Sequence, residues 1–146
     1  MSLSNLAETN LLKLLLQNIA WAYVGDNAGL QPAAAPGSVY VALHTADPGD
    51  ADDQTTSEIA YTGYARVAVA RSAAGWTVVN DNCSNAAAVT FGLCTALSGT
   101  ATHWSVGDAA SGAGHWTISG VLTAPLAISA GITPEFAIGE LDVNAA

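Results

Sequence analysis

The sequence predicts a mainly β protein: an antiparallel β-sandwich or jelly-roll-like domain preceded by an N-terminal α-helix. Three observations predict this class. Apolar residues recur at helical spacing only near the N-terminus, whereas from Ser38 onward apolar and polar residues alternate with a period of two. Glycine, proline or asparagine separates the alternating stretches, as in turns between strands. No strand–helix–strand alternation is present, which argues against nucleotide-binding α/β folds.

The N-terminal helix is predicted from a cap and an apolar stripe. Asn5 followed three residues later by Glu8 fits a capping box, and Gly25 is the expected C-cap because glycine adopts the left-handed conformation at no steric cost. The stripe is expected to pack against a sheet or a neighbouring subunit, and it consists of Leu12, Leu15, Leu16, Ile19 and Tyr23. Lys13 alone does not provide the basic face of a membrane-surface helix.

The chain is expected to form one domain overall, in three parts. Residues 1–28 form a helical arm, residues 29–37 form a linker rich in proline and glycine, and residues 38–146 form the β-sandwich. About six to eight short strands are expected there. They correspond to SVYVALHT, GYARVAVAR, GWTVVN, NAAAVTF, the 102–122 region and EFAIGELDV, with APLAISAG as a further short strand.

A repeated His-Trp pair is the most distinctive local pattern. The stretch THWSVGDAASGAGHWTISG (102–120) predicts a hairpin with AASGAG at its tip. Alternation along the two strands makes Trp104 and Trp116 core anchors and turns His103 and His115 outward, and it places His44 on the polar face of its own strand. Two other interpretations stay open: a metal site shared across a symmetric interface, and a carbohydrate-stacking surface.

The charge balance excludes some partners. The chain carries a formal net charge of -9, with three basic residues, and charged residues make up 10% of it. Nucleic-acid backbones and anionic membranes need clusters of lysine and arginine, so neither is an expected partner. The sparse surface charge favours assembly with copies of itself or a larger partner, the alternative being an alanine-rich protein from a GC-rich genome.

The stretch between the first two strands is rich in carboxylates, which invites a calcium interpretation. Its acidic residues are Asp47, Asp50, Asp52, Asp53 and Glu58. The spacing does not match the calcium-loop pattern, so a solvated, mobile loop is the preferred hypothesis. Cys83 and Cys94 lack the close spacing of zinc or redox sites; two buried free thiols are expected, with a disulfide as the alternative.

No catalytic, cofactor or metal site is predicted. The sequence contains no G-x-S-x-G, H-E-x-x-H or P-loop motif, and a metal would need a third ligand beside the two histidines of the hairpin. The chain is therefore expected not to be an enzyme. It also contains no signal peptide pattern and no apolar run of the ~20 residues that span a membrane, so synthesis in a cytoplasm is expected.

An ordered set of segments carries a family resemblance. These are SNLAETNLLKLLLQN, VYVALHTADP, GYARVAV, NAAAVTF, THWSVGDAASG and GVLTAPLAISAGITPEFAIGELDV. In this set the chain resembles small bacteriophage virion proteins that are labelled tail-fibre-like or capsid decoration (cement) proteins. The resemblance carries no catalytic residues.

The resemblance implies a structural protein of the virion. The leading hypothesis is a capsid decoration protein, a homotrimer on the capsid surface that binds the major capsid protein, bridges its subunits and stabilises the shell. The alternative is a tail-fibre or appendage subunit with a host-attachment role. A third hypothesis, from another class, is a small virion-associated hydrolase.

Overall fold

The computed structural model describes residues 2–51 and 53–145. Within this part of the chain, one helix precedes nine strands. Strand neighbours follow the orders β2-β1-β6-β7, β3-β4-β9 and β5-β8. The elements are α1 (Asn5–Gln17), β1 (Ser38–His44), β2 (Val67–Ala70), β3 (Trp76–Val79), β4 (Asn82–Asn85), β5 (Val89–Thr90), β6 (Gly99–Gly107), β7 (Thr117–Ile128), β8 (Glu135–Phe136) and β9 (Asp142–Asn144).

The architecture confirms the predicted class, which is mainly β with antiparallel pairing and an N-terminal helix. β6 pairs antiparallel with both β1 and β7, and β4 does so with both β3 and β9. The chain divides into two compact units. The helix unit comprises residues 2–38, 70–88 and 136–145, and the hairpin unit comprises Val39–Val69 and Val89–Glu135. The division into an arm, a linker and a single β domain stays a prediction.

The helix unit is held by apolar packing. α1 packs against β3 and β4, and its buried face carries Leu12 and Leu16. These two leucines are four residues apart, so they lie one above the other on the same face. Trp76 on β3 is fully buried. The buried apolar side chains of this unit are Leu12, Leu16, Trp76, Cys83, Leu141 and Val143.

Both predicted ends of the helix are wrong. The N-cap is Ser4, whose hydroxyl accepts from the Ala7 N–H, so Asn5 is already the first helical residue. The helix stops after Gln17 because Asn18 takes the left-handed conformation, with φ 57°, which asparagine tolerates better than most residues. The side-chain amide of Asn18 also exchanges two hydrogen bonds with the Ala33 backbone, at 2.8 and 2.9 Å, which fixes the chain reversal there.

The early end of the helix corrects the predicted stripe. Ile19 and Tyr23 lie beyond the helix and are 45% and 80% exposed, while Leu15 is half-buried. Helical spacing cannot place side chains on a common face once the helix has ended. Gly25 does adopt a positive φ of 87°, but it does so in a turn and not at the C-cap.

Arg71 secures the C-terminal end of α1. Its guanidinium donates to the carbonyl oxygens of Leu14 and Leu15, at 2.8 and 2.7 Å, and to that of Pro36 at 3.0 Å. Helix C-terminal carbonyls lack partners within the helix, and a cation there is favoured by the helix dipole. The segment predicted as a linker is therefore fixed to the helix.

The hairpin unit contains most of the largest sheet. β6 and β7 form the predicted hairpin, and Trp104 pairs with Gly120 across it. Pairing is irregular further along, because His103 pairs with Val121 whereas Ala101 pairs with Leu126. β7 therefore has extra residues in a bulge, and Pro125, which has no N–H to donate, lies in it. The segment predicted as a separate short strand is continuous with β7.

The remaining strands follow the alternation only in part. Within GYARVAVAR, β2 covers only Val67–Ala70, because the Tyr64 and Arg66 side chains instead donate hydrogen bonds to Glu58. NAAAVTF contributes only Val89–Thr90. β4, over Asn82–Asn85, was not expected, since Cys83 is the one apolar side chain among its four residues.

Candidate functional site

The tip of the β6–β7 hairpin, residues 108–116, is partly exposed and held by several hydrogen bonds. Asp108 closes the tip from one side: its carboxylate accepts from the His115 backbone N–H at 2.9 Å and from the His115 ring Nδ1 at 2.8 Å. Burial raises the pKa of Asp108, but the hydrogen bonds from His115 outweigh it and leave this pKa below its usual value. Residues 110–113 are exposed.

The tip is also held by two residues of the 54–66 segment, one through its backbone and one through its side chain. The Gln54 backbone N–H donates to the Ala113 carbonyl at 3.1 Å, and Arg66 Nη1 donates to the Ala109 carbonyl at 2.9 Å. Gly107, at the end of β6, lies directly against the Gln54 side chain, where a Cβ would collide with it. The hairpin tip is therefore anchored on both arms.

Arg66 forms a two-point ion pair under the tip. Its Nε and Nη2 donate to the two carboxylate oxygens of Glu58, at 2.7 and 2.8 Å, and its side chain is 2% exposed. The hydrogen bonds to Glu58 raise the pKa of Arg66. The Tyr64 hydroxyl donates to Glu58 at 2.8 Å and accepts from the Leu43 N–H at 3.1 Å, and burial raises its pKa far above its usual value.

A second set of buried polar groups continues from Gln54 into the sheet. His44 and Ser105 on the paired strands β1 and β6 are fully buried, as is Gln54. His44 Nε2 lies 2.7 Å from Ser105 Oγ, and its Nδ1 lies 2.8 Å from the Thr56 carbonyl. Gln54 Nε2 donates to Ser105 Oγ and to the Tyr40 carbonyl, both at 3.0 Å, while Gln54 Oε1 accepts from Arg66 Nη1 at 3.1 Å.

We call this connected set the buried polar cluster. It comprises His44, Gln54, Glu58, Tyr64, Arg66 and Ser105. Burial outweighs the hydrogen bond to Thr56 and lowers the pKa of His44. Buried polar groups are tolerated when their hydrogen bonds are satisfied, and a network of this kind fixes one geometry.

An open groove of about 470 Å³ runs between the tip and the cluster. Ile59, Tyr61 and the tip residues Ala110–Gly112 line it together with Glu58, Tyr64 and Arg66. The charged atoms at its floor already bond to one another. Ser111 and the exposed backbone of the tip are consequently the polar groups that the groove offers to an incoming molecule.

The four hairpin residues singled out from the sequence occupy different environments. Trp104 is 6% exposed and lies over Gly120, where a Cβ would stand 2.5 Å from its ring. Trp116 is half-buried rather than a full core anchor, because it precedes β7 in the tip loop and strand alternation does not bury it. His103 is half-buried, and the His115 side chain is 88% exposed.

The structure corrects the expected environment of His44 and of the acidic stretch. His44 lies under residues 54–59 and not at an outward face, because the Thr45 and Ile59 N–H groups bond to Ser57 and Leu43 and draw this segment along the end of β1. Residues 54–59 are thus docked, where a mobile loop was expected for the acidic stretch. The sequence signal for the buried polar cluster was the scarcity of basic residues: Arg66 is one of three.

Two carboxylates of this stretch, those of Asp47 and Asp53, are used in local turns. Asp47 accepts from the Gly49 N–H at 2.9 Å, and Asp53 accepts from Thr55. The Thr55 hydroxyl lowers the pKa of Asp53. Asp52, part of the predicted acidic stretch, lies outside the described residues. Over residues 2–51 and 53–145, no three histidine, cysteine or acidic side chains gather as a metal site would require.

Both cysteines are free and buried, one in each unit. Burial raises the pKa of the Cys83 thiol to about 12, so it stays protonated and unreactive at neutral pH. Ser105 and His44 are close enough for nucleophile and base, but both are fully buried and offer no surface to a substrate.

Comparison with known proteins identifies the family. The family model described as podophage GP4 fiber I protein gp80 matches residues 2–144 of the chain. A comparison with curated proteins gave no match. Within the described residues, no helix is long and apolar enough to cross a membrane. The resemblance to small phage virion proteins is thereby confirmed: the chain belongs to the podophage GP4 fiber I protein gp80 family, a family of phage virion proteins.

Proposed function

We propose that the chain is a subunit of a tail fibre or similar appendage of a podophage virion, with a host-attachment role. The observation that carries this proposal is the family match, which covers residues 2–144 and whose description names a fibre protein. It favours the fibre interpretation over a capsid decoration protein, which was the leading hypothesis from the sequence. The major capsid protein is accordingly no longer the partner we expect.

The geometry of the hairpin tip supports an attachment role. Ala110, Ser111 and Gly112 are exposed, uncharged and small, and they form one wall of the groove. The tip is anchored by Asp108 above and by Gln54 and Arg66 below. A surface loop on a rigid support binds a partner without a large ordering cost.

Assembly with copies of itself, as a homotrimer, remains part of the proposal. The low content of charged residues, 10%, supports a surface that is partly covered by other subunits. The proposed role is structural and not catalytic, and the full burial of the Ser105–His44 pair supports this. Nucleic acid is not a proposed partner, given the net charge of -9.

Immunogold labelling of purified virions with antibodies against the chain tests the location. We expect gold at the tail, with a low copy number per particle relative to the major capsid protein. Label distributed over the head, at a copy number close to that of the major capsid protein, would reject the fibre proposal.

Competition for the host tests the role of the tip. Purified protein should slow adsorption of the phage to host cells, and Ser111→Lys at the tip should weaken this competition at least tenfold. The matched control is Ser98→Lys, which changes an exposed serine outside the groove. Equal competition by both variants would remove the tip from the attachment surface, while failure of the unchanged protein to compete would reject the attachment role.

A further inference from the structure

We propose that His44 is the acid-sensitive element of a switch that releases the hairpin tip when this side chain takes up a proton. The inference goes beyond the proposed function, because it concerns how the tip is held and does not depend on what the tip binds. It rests on the hydrogen bonds that connect His44 through Ser105 and Gln54 to the hairpin tip.

The hydrogen bonds fix His44 as a neutral ring with one tautomer. The Thr56 carbonyl can only accept, so the ring nitrogen that faces it, Nδ1, carries the hydrogen. The other nitrogen, Nε2, then has a lone pair and accepts from the Ser105 hydroxyl. Ser105 Oγ in turn accepts from Gln54 Nε2. In this arrangement each of these donors has an acceptor.

A proton taken from water onto His44 Nε2 leaves one hydrogen-bond donor of this set without an acceptor. The nitrogen becomes a donor, so the Ser105 oxygen must accept from it and the Ser105 hydrogen must turn elsewhere. Its other neighbour is the Gln54 amide, which presents N–H and not oxygen. Because all three side chains are fully buried, water cannot supply the missing acceptor.

Gln54 links this mismatch to the hairpin tip. Rotating its amide would offer Oε1 to Ser105, but Oε1 already accepts from Arg66 Nη1 and the amide N–H groups already donate to Tyr40 and Ser105. The same residues hold the tip, Gln54 through its backbone N–H to Ala113 and Arg66 through Nη1 to Ala109. A rearrangement of Gln54 therefore loosens both anchors.

The charges around His44 do not offset the burial. Glu58, on the segment that covers the ring, favours the protonated form, whereas Arg66 beside it and His103 on β6 oppose it. The Glu58 carboxylate is already held by both Arg66 and Tyr64. Burial lowers the pKa of His44, so the closed cluster excludes the proton and an opened cluster accepts it.

Amide hydrogen exchange on the full chain, measured from pH 7.5 to 5.5 and corrected for intrinsic exchange rates, tests the switch. If His44 regains an ordinary pKa of about 6.5 in the opened form, the opening equilibrium of residues 107–116 and 53–58 should rise about tenfold over this range. Amides of β3 and β4 in the helix unit should change less than twofold.

The chain has three histidines, which gives matched controls. His103→Asn and His115→Asn should keep the tenfold rise, whereas His44→Asn and His44→Gln, neutral at every pH tested, should abolish it. A rise that persists in the His44 variants, or that disappears in His115→Asn, would overturn the proposal.

A second measurement covers the case in which the His44 variants do not fold. The ring nitrogens of the three histidines are followed by NMR in the unchanged chain over the same pH range. We expect His44 to titrate below pH 6.5 and its protonation to coincide with changes at residues 107–116. Titration of His44 near pH 6.5 without any change at the tip would refute the switch.

Discussion

The helix unit and the hairpin unit are stabilised by different chemistry. In the helix unit, α1 lays Leu12 and Leu16 toward β3 and β4, and a fully buried Trp76 belongs to the same core. The hairpin unit also has apolar anchors, but it encloses His44, Gln54, Arg66 and Ser105 in a hydrogen-bonded cluster. Apolar burial is tolerant of pH, whereas a buried titratable group is not. Glu8 on α1 is also buried, but the buried histidine lies in the hairpin unit. Over the pH range in which histidine titrates, acid sensitivity is therefore expected to concentrate in that unit.

The largest expected effect comes from the apolar anchor of the hairpin unit. Trp104→Ala should lower the free energy of unfolding by about 3–5 kcal/mol, as truncations of buried aromatic side chains do. Denaturant unfolding measures it, with the half-buried Trp116 as the matched control, for which Trp116→Ala should cost clearly less. A loss within ~1 kcal/mol for Trp104→Ala would place this ring outside the core.

Leu16→Ala gives the corresponding measurement in the helix unit. Leu16 is fully buried, so the substitution should cost about 3 kcal/mol. Ile19→Ala, at a position that is 45% exposed and beyond the end of the helix, should stay within about 0.5 kcal/mol. If the two substitutions cost the same, the apolar stripe would extend past Gln17 and the helix end described above would be wrong.

The buried histidine of the hairpin unit is expected to make folding stability depend on pH. The pKa of His44 is lowered in the folded chain, so the unfolded chain binds more protons as pH falls below about 6.5, and folding stability is lost in that direction. Thermal and denaturant unfolding should show a loss of at most about 1.4 kcal/mol between pH 7.5 and 5.5, which corresponds to a tenfold change.

The His44→Gln variant provides the control for this loss. Its stability should be nearly flat over the same pH range, although lower overall. Asp53 and Asp108, whose pKa values are lowered, act only at more acidic pH, because their contribution is lost as pH falls below the usual carboxyl range. An unchanged slope in His44→Gln would assign the acid sensitivity to other groups.

The smallest effect is expected at the helix N-terminus. Ser4→Ala removes the hydroxyl that accepts from the Ala7 N–H and should cost about 1 kcal/mol. Asn5→Ala, at the first helical position, should cost little or even stabilise the helix, since alanine has the higher helix propensity. The reverse order of the two costs would restore Asn5 as the cap.

The sequence predicts the fold class and the hairpin because both depend on local periodicity. Alternation located β1, β3 and the β6–β7 hairpin, and it predicted the burial of Trp104, but it did not predict that Trp116 lies before β7 and is only half-buried. The helix end depends instead on Asn18, whose side chain bonds to Ala33 fifteen residues away. A periodic sequence pattern cannot predict a hydrogen bond between residues that are so far apart in the sequence.

The buried polar cluster could not be predicted for a similar physical reason. His44 lies on the alternate face of an amphipathic strand, and a period of two assigns that face to solvent. Residues 54–59 cover it, which follows from backbone bonds to Leu43 and Thr45 that the sequence does not encode locally. Arg66 is one of only three basic residues, but no sequence pattern links it to Glu58, which was assigned to an acidic loop.

The anchoring of the hairpin tip also bears on how its sequence can change. Arg66 and Gln54 hold the tip through the carbonyl oxygens of Ala109 and Ala113, and Asp108 holds the His115 backbone N–H. Every amino acid supplies a carbonyl, and every one except proline supplies an N–H. Ala110 and Ser111 can thus vary without loss of these bonds, whereas Gly112 and Gly114 have positive φ values and a Cβ at Gly114 would stand 2.7 Å from Asp108 Oδ1. A loop anchored in this way can change its exposed side chains at these two positions while the hydrogen bonds beneath it stay the same.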